Sequence, residues 1–176
     1  MNRISHIRDH GFTLMEVLVA LVVISIGLLG IASMQASAIA STHTSQTESL
    51  VSIEARSLAD AMQANPGYWA SGLFPASFTI TNNTISDTAL AGQNTDCGTI
   101  ACTPGQLAGY DLQHWATQLN LQVPGSTATV ACQASTPYVC SITVVWTQKA
   151  TAAVNSGTQS TATVANNMSY TLVNQL

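Results

Sequence analysis

The stretch Gly11-Phe12-Thr13-Leu14-Met15-Glu16, running on through Val17–Met34 as VLVALVVISIGLLGIASM, decides how the rest of the chain is read. Val17–Met34 is 18 residues without a charge, about the minimum for a helix that crosses a membrane. Counted from Phe12 the run is 23 residues, long enough to span with some tilt. Ahead of it lies MNRISHIRDH, whose Arg3 and Arg8 favour the cytoplasmic side. The remainder of the chain is therefore expected across the membrane. Glu16 interrupts the apolar run in its opening turn. A carboxylate in the apolar layer costs roughly 2.5–3.5 kcal/mol on insertion scales, so its presence points to a function.

Three readings compete for this N-terminus. A secretory signal peptide has a basic start, an apolar core and a small-residue cleavage site, and Ala36-Ser37-Ala38 supplies that pattern. The apolar run is longer than a usual signal core, however, and carries Glu16. A plain single-pass anchor explains the length but not the glutamate. Gly11, the aromatic Phe12 and Glu16 in the fifth position after the cut, with basic residues before them, resemble the class III signal of type IV pilins and pseudopilins. The resemblance implies a leader of residues 1–11, cleaved between Gly11 and Phe12 by a prepilin peptidase that also methylates the new Phe12 amine. It also gives Glu16 a task. In a filament this carboxylate would neutralise the N-terminal amine of a neighbouring subunit inside an apolar bundle. Two groups that are costly alone become a pair, and breaking a buried pair is strongly destabilising. The alternative for Glu16 is a place near the lipid headgroups.

Composition agrees with export. Charged residues make up 7% of the 176 residues, against about 25% in an average soluble domain. The polar side chains are mostly Ser, Thr, Asn and Gln. Loss of the leader would remove Arg3, Arg8 and Asp9, leaving Arg56 and Lys149 as the basic side chains apart from histidine. Such a surface lacks the cationic footprint that nucleic-acid binding needs.

The helix is predicted to run from Phe12 to about Ala64. Residues 12–34 form its transmembrane or filament-core half, and residues 35–66 its amphipathic half. In the second half Leu50, Val51, Ala55, Leu58, Ala61 and Met62 recur at helical spacing as one apolar stripe. Arg56 and Asp60 lie away from it as an i,i+4 pair, whereas Glu54 falls inside it and is read as a solvated edge. Asn65-Pro66-Gly67 is a stop signal. No proline interrupts the apolar half, so any bending would rest on Gly27 and Gly30.

Residues 67–176 are expected to form the globular region. Its first part, to residue 109, reads as irregular chain with one short strand at Ser77–Thr81. Tyr110–Leu119 is predicted helical, with Leu112, Trp115, Ala116 and Leu119 on one face. Pro124-Gly125 then turns the chain into strands. Ala128, Val130 and Cys132 alternate with more polar residues, as do Cys140, Ile142, Val144 and Trp146, the period-2 signature of strands with one buried face. Ala150–Asn167 reads as loop or weak strand, and Met168–Val173 as the last strand. The expected fold is α+β: a long N-terminal helix packed on a three- to four-stranded antiparallel sheet.

Four cysteines allow three pairings. Cys132 and Cys140 share the buried parity of adjacent strands, so a bridge across that hairpin is expected, leaving Cys97 with Cys102. A zinc site is the sharper alternative, but C-x4-C and C-x7-C do not match zinc-ligand spacing, and buried free thiols are the blander one. No metal or other cofactor is expected. Asp111 and His114, three residues apart, are read as a surface pair with no candidate nucleophile or pocket beside them, and the chain is not expected to be an enzyme. The sequons Asn82-Asn83-Thr84 and Asn167-Met168-Ser169 are given no weight.

Beyond the N-terminus, Leu58–Pro66, Cys97 and Cys102, Leu107–Leu112 with Trp115, Val123-Pro124-Gly125 and Ile142–Trp146 are similar in order to PilV-type minor pilins. Gln63 departs from that family, which often has a basic residue there. The resemblance implies a low-abundance, non-enzymatic subunit that helps start pilus assembly and sits at or near the pilus tip. It implies as partners the prepilin peptidase/methyltransferase, other minor pilins and the major pilin, a tip adhesin and the inner membrane. A minor pseudopilin of type II secretion has the same N-terminus. A membrane-anchored periplasmic binding module is the alternative of another class.

Overall fold

A computed structural model of the chain describes residues 13–150 and 164–176. It falls into two compact units, Met1–Thr42 and His43–Leu176, with helix α1, Leu14–Ala64, contributing to both. In the first unit the described part of α1 is an uninterrupted helix whose side chains are all exposed. It continues through Gly27 and Gly30, where an added Cβ would meet nothing within 4 Å.

The second unit contains the rest of α1 and eight shorter elements. In chain order these are α2 (Pro66–Trp69), β1 (Ser77–Thr81), β2 (Thr84–Ile85), α3 (Thr88–Ala91), α4 (Pro104–Gln122), β3 (Thr127–Cys132), β4 (Val139–Ala150) and β5 (Val164–Gln175). The strands form one sheet in the order β2-β1-β3-β4-β5, with every neighbour antiparallel. The fold is α+β and pilin-like, a long N-terminal helix packed against an antiparallel sheet.

The sheet has five strands where the sequence reading expected three or four. The additional strand is β2, a two-residue partner for β1 created by a tight turn at Asn82 and Asn83. Both asparagines have positive φ, 48° and 65°, the backbone that two-residue hairpins demand and asparagine tolerates. Asp87 then caps α3 by accepting the Leu90 N–H at 2.9 Å. The hairpin and α3 thus give regular structure to part of residues 67–109, where the sequence composition predicts irregular chain.

α4 begins at Pro104 rather than Tyr110. Thr103 accepts the Gln106 N–H while the Gln106 side chain accepts the Thr103 N–H, a reciprocal capping box. Pro104 occupies the first helical position, where its missing N–H costs nothing. β5 starts at Val164 rather than Met168, paired throughout with β4 from Val139↔Gln175 to Ala150↔Val164.

The core lies between α1, α4 and the inner face of the sheet. From α1 it takes Val51, Ala55, Leu58, Ala59 and Met62; from α4, Leu112, Trp115, Ala116 and Leu119. The strands supply Phe78, Ile80, Ala128, Val130, Cys140, Ile142, Val144 and Trp146. Trp69 joins it, with its ring centroid 6.4 Å from those of both Phe74 and Phe78. The stripe on α1 is rotated from the expected one. Leu50 and Ala61 sit at its margin and Glu54 is inside it, only 7% exposed. The reading of Glu54 as a solvated edge is therefore corrected: α4 lands on that side of α1 and covers it.

Side-chain amides tie these elements together in a chain with few charges. Asn174 of β5 donates to the Ala59 carbonyl at 3.2 Å and accepts from Gln63 at 2.6 Å. Asn65 donates to the Pro104 carbonyl at 2.8 Å, and Gln113 to that of Gln93 at 2.7 Å. Gln63, where a basic residue had been the family expectation, is thus a neutral tether between α1 and β5.

Candidate functional site

The start of α1 is built by Thr13. Its hydroxyl accepts the Glu16 N–H at 3.3 Å, and its carbonyl accepts the N–H groups of Glu16 and Val17 at 3.1 and 3.3 Å. This is the N-cap role, which satisfies donors that the first helical turn leaves orphaned. Thr13-Leu14-Met15-Glu16 has the T-x-x-E spacing of a capping signal, so the cap is legible in the sequence itself. Glu16 is thereby held in the first turn, exposed, where the partial positive charge of the helix terminus favours a carboxylate. Around it Leu14, Met15, Val17, Leu18 and Val19 are exposed apolar side chains. Gly11 and Phe12 lie outside the described residues.

Further along, two hydroxyls of the first unit bond back to the helix itself. Ser25 donates to the Leu21 carbonyl at 2.7 Å and Thr42 to that of Ala38 at 2.9 Å. Hydroxyls bonded this way can enter an apolar environment at lower cost than free ones. The helix is long and apolar enough to cross a membrane. An exposed carboxylate at the head of such a surface can accept a cation when the surface is covered, and that is the chemistry this end of the chain offers.

Residues 7–32 match the family model described as the prokaryotic N-terminal methylation motif. No curated protein and no solved structure matches the chain. The motif supports a type IV pilin-like or pseudopilin-like protein. It implies processing by a prepilin peptidase and association at the membrane with pilus or pseudopilus components. With the apolar helix it supports membrane anchoring, and it suggests a structural subunit.

In the second unit the cysteines form two disulfides. Cys97–Cys102 closes a loop before α4, with Cα atoms 5.5 Å apart. Cys132–Cys140 joins directly opposed residues of β3 and β4, with Cα atoms 4.0 Å apart. Among the described residues no three His, Cys, Asp or Glu side chains gather as a metal site would require.

The acidic residues Glu54 and Asp111 both line a groove of about 330 Å³ between α1 and α4, with Tyr110, His114 and Trp115 on its wall. The Glu54 carboxylate accepts from the Gln122 amide at 2.6 Å, and its backbone carbonyl accepts from the Trp115 indole at 2.7 Å. Burial pushes the Glu54 carboxyl above the ordinary carboxylate range, and the Gln122 hydrogen bond offsets part of that rise. Asp111 is raised for the same reason, with His114 pulling it down. His114 also lies against the Tyr110 ring, centroids 5.1 Å apart. Ser57 also lines this groove, and the hydrogen bonds of Glu54 with Trp115 and Gln122 dock α4 on α1. The position of Glu54 within the apolar stripe was the available signal for that role.

Proposed function

We propose that the chain is a minor type IV pilin, a low-abundance structural subunit that helps initiate pilus assembly and resides at or near the pilus tip. The observation that carries this is the methylation motif over residues 7–32, joined to a capped apolar helix with Glu16 in its first turn. The prepilin peptidase cuts between Gly11 and Phe12 and methylates Phe12. The chain then waits in the inner membrane with its globular region outside the cytoplasm, and Glu16 pairs with the N-terminal amine of a neighbour as α1 leaves the lipid. Its partners are other minor pilins, the major pilin and a tip adhesin. The order of segments from Leu58 to Trp146 supports the PilV-type assignment within this class.

The test has two stages. Gly11→Ala is expected to leave the chain at precursor mass in cells that have the peptidase, whereas the native chain loses the mass of its leader. A native chain left uncut, or cut after Ala38, overturns the pilin reading. Deletion of the gene then separates the two filament systems. Loss of surface pili with secretion intact supports the pilus, and loss of type II secretion with pili intact supports a minor pseudopilin instead.

A further inference from the structure

The two disulfides have opposite surroundings. Cys132–Cys140 lies inside the sheet, with Cys140 fully buried and Cys132 8% exposed. Backbone pairs on either side, Ala131 with Ser141 and Gln133 with Val139, hold its two residues opposite each other. The next layer of chain covers it as well. Cys132 donates its N–H to the Ala76 carbonyl just before β1 at 2.8 Å, and Cys140 lies opposite Asn174 of β5. Cys97–Cys102 instead joins chain between α3 and α4 that belongs to no helix or strand, and both of its cysteines are half-buried. The residues between them, 98–101, are exposed, Ile100 by 59%. Exchange requires a thiolate to reach one of the two sulfurs, and exposed bridges are the labile ones.

The exposed bridge is also tied to the start of α4. Cys102 immediately precedes Thr103, the N-cap residue. Gln106, whose side-chain oxygen accepts the Thr103 N–H, donates its amide to the Thr95 hydroxyl at 3.2 Å, just ahead of Cys97. Asp96 folds the loop into a turn by accepting the Gly98 N–H at 3.0 Å. Gly98 lies against α4, since a Cβ there would sit 3.2 Å from the Tyr110 hydroxyl. The bridge thus fastens the chain on both sides of the cap, and Tyr110 carries the contact to the α1–α4 groove.

We propose that Cys97–Cys102 is a thiol-exchange site that latches the first turn of α4, opened by a small dithiol while Cys132–Cys140 stays closed. One thiolate of the dithiol attacks the Cys97 sulfur, and the S–S bond breaks to release Cys102 as a thiolate. Cys102 is the better leaving group, because the N-terminus of α4 beside it favours a thiolate, whereas Asp96 adjoins Cys97. The second thiolate of the dithiol then attacks the dithiol's own sulfur in the mixed disulfide and releases Cys97. Two electrons and two protons pass from the dithiol to the protein, which ends with two thiols while the dithiol becomes a disulfide. Freed from Cys97, the residue before the N-cap no longer holds Thr103 in place, and the first turn of α4 opens.

The test treats the full-length native chain, in mild detergent at fixed pH, with a series of dithiothreitol concentrations. Free thiols are trapped with iodoacetamide and located by peptide mass spectrometry, and hydrogen exchange is followed in the same reductant. Cys97 and Cys102 are expected to open at a concentration at least about tenfold below that needed for Cys132 and Cys140. There Gln106 and Leu107, whose N–H groups are held by Thr103, should exchange at least about tenfold faster, with β3 and β4 unchanged. Cys97→Ser/Cys102→Ser should show the same faster exchange without any reductant. Opening of both bridges together, or of Cys132–Cys140 first, overturns the exchange site. Selective opening that leaves Gln106 and Leu107 at native protection overturns the latch.

Discussion

Glu16 and Glu54 are two carboxylates on one helix with opposite environments. Glu16 is exposed at the head of the apolar half, and its cost arises only when lipid or neighbouring helices cover it. Glu16→Ala is expected to leave leader removal intact while the mutant chain falls at least about tenfold in sheared surface filaments, since an unpaired buried amine carries several kcal/mol of penalty. Quantitative blotting of the sheared fraction checks this, and native-level incorporation removes the pairing role. Glu54 is covered already, by Trp115 and Gln122 of α4. Because its folded-state pKa lies above the unfolded one, the folded chain holds the proton more tightly. The associated stability is present below the ordinary carboxylate range and is lost as pH rises through the folded value. Glu54→Gln keeps an acceptor for Gln122 and removes the charge. Thermal unfolding at pH 7 should shift upward by about 2–4 °C, equivalent to about 1 kcal/mol, and the difference from the native chain should shrink as the pH falls toward 4.

The elements show how much a short local signal can accomplish. α4 contains Gly105 and Gly109 in its first two turns, which lowers its intrinsic propensity and hid its beginning from a reading based on apolar spacing. The capping box at Thr103 and Gln106 offsets this, and Gly109 has a reason to be there. A Cβ at that position would collide with the Gln93 side chain and sit 2.8 Å from the Leu90 carbonyl oxygen. Thr103→Ala removes the acceptor for the Gln106 N–H and should cost about 1 kcal/mol. The first turn of α4 should lose hydrogen-exchange protection before the rest of the helix does. Uniform loss along the whole helix would mean that the cap does not act locally. β2 has a comparable local origin in the Asn82-Asn83 turn, a two-residue connection flanked by Ile80-Thr81 and Thr84-Ile85.

At the scale of the whole molecule, stability rests on one core covered by α1 and α4, with few charges to assist it. The Cys132–Cys140 bridge pins β3 to β4 at the centre of the sheet. Closing a short loop of this size contributes roughly 2–3 kcal/mol in the chain-entropy model. Cys132→Ser/Cys140→Ser is expected to lower the thermal midpoint by roughly 4–12 °C and to reduce the amount of folded chain recovered from membranes. An unchanged midpoint would place the stabilising role of this bridge elsewhere.

The apolar run long enough to cross a membrane, the helix stop at Asn65-Pro66, the strand at Ser77–Thr81 and the alternation along β3 and β4 were determined by the sequence alone. Each rests on a local cause: an apolar run, a proline, or a two-residue period, acting within one turn or one strand. Only the tertiary structure decided the burial of Glu54, the pairing of Gln63 with Asn174 and the extension of β5 back to Val164. These depend on partners 111 residues away for Gln63 and 68 for Glu54, and on the β4 backbone for β5. The apolar stripe marks the face of α1 that is buried, but no local pattern encodes that α4 lands beside Glu54, because that choice is made by packing of the whole core.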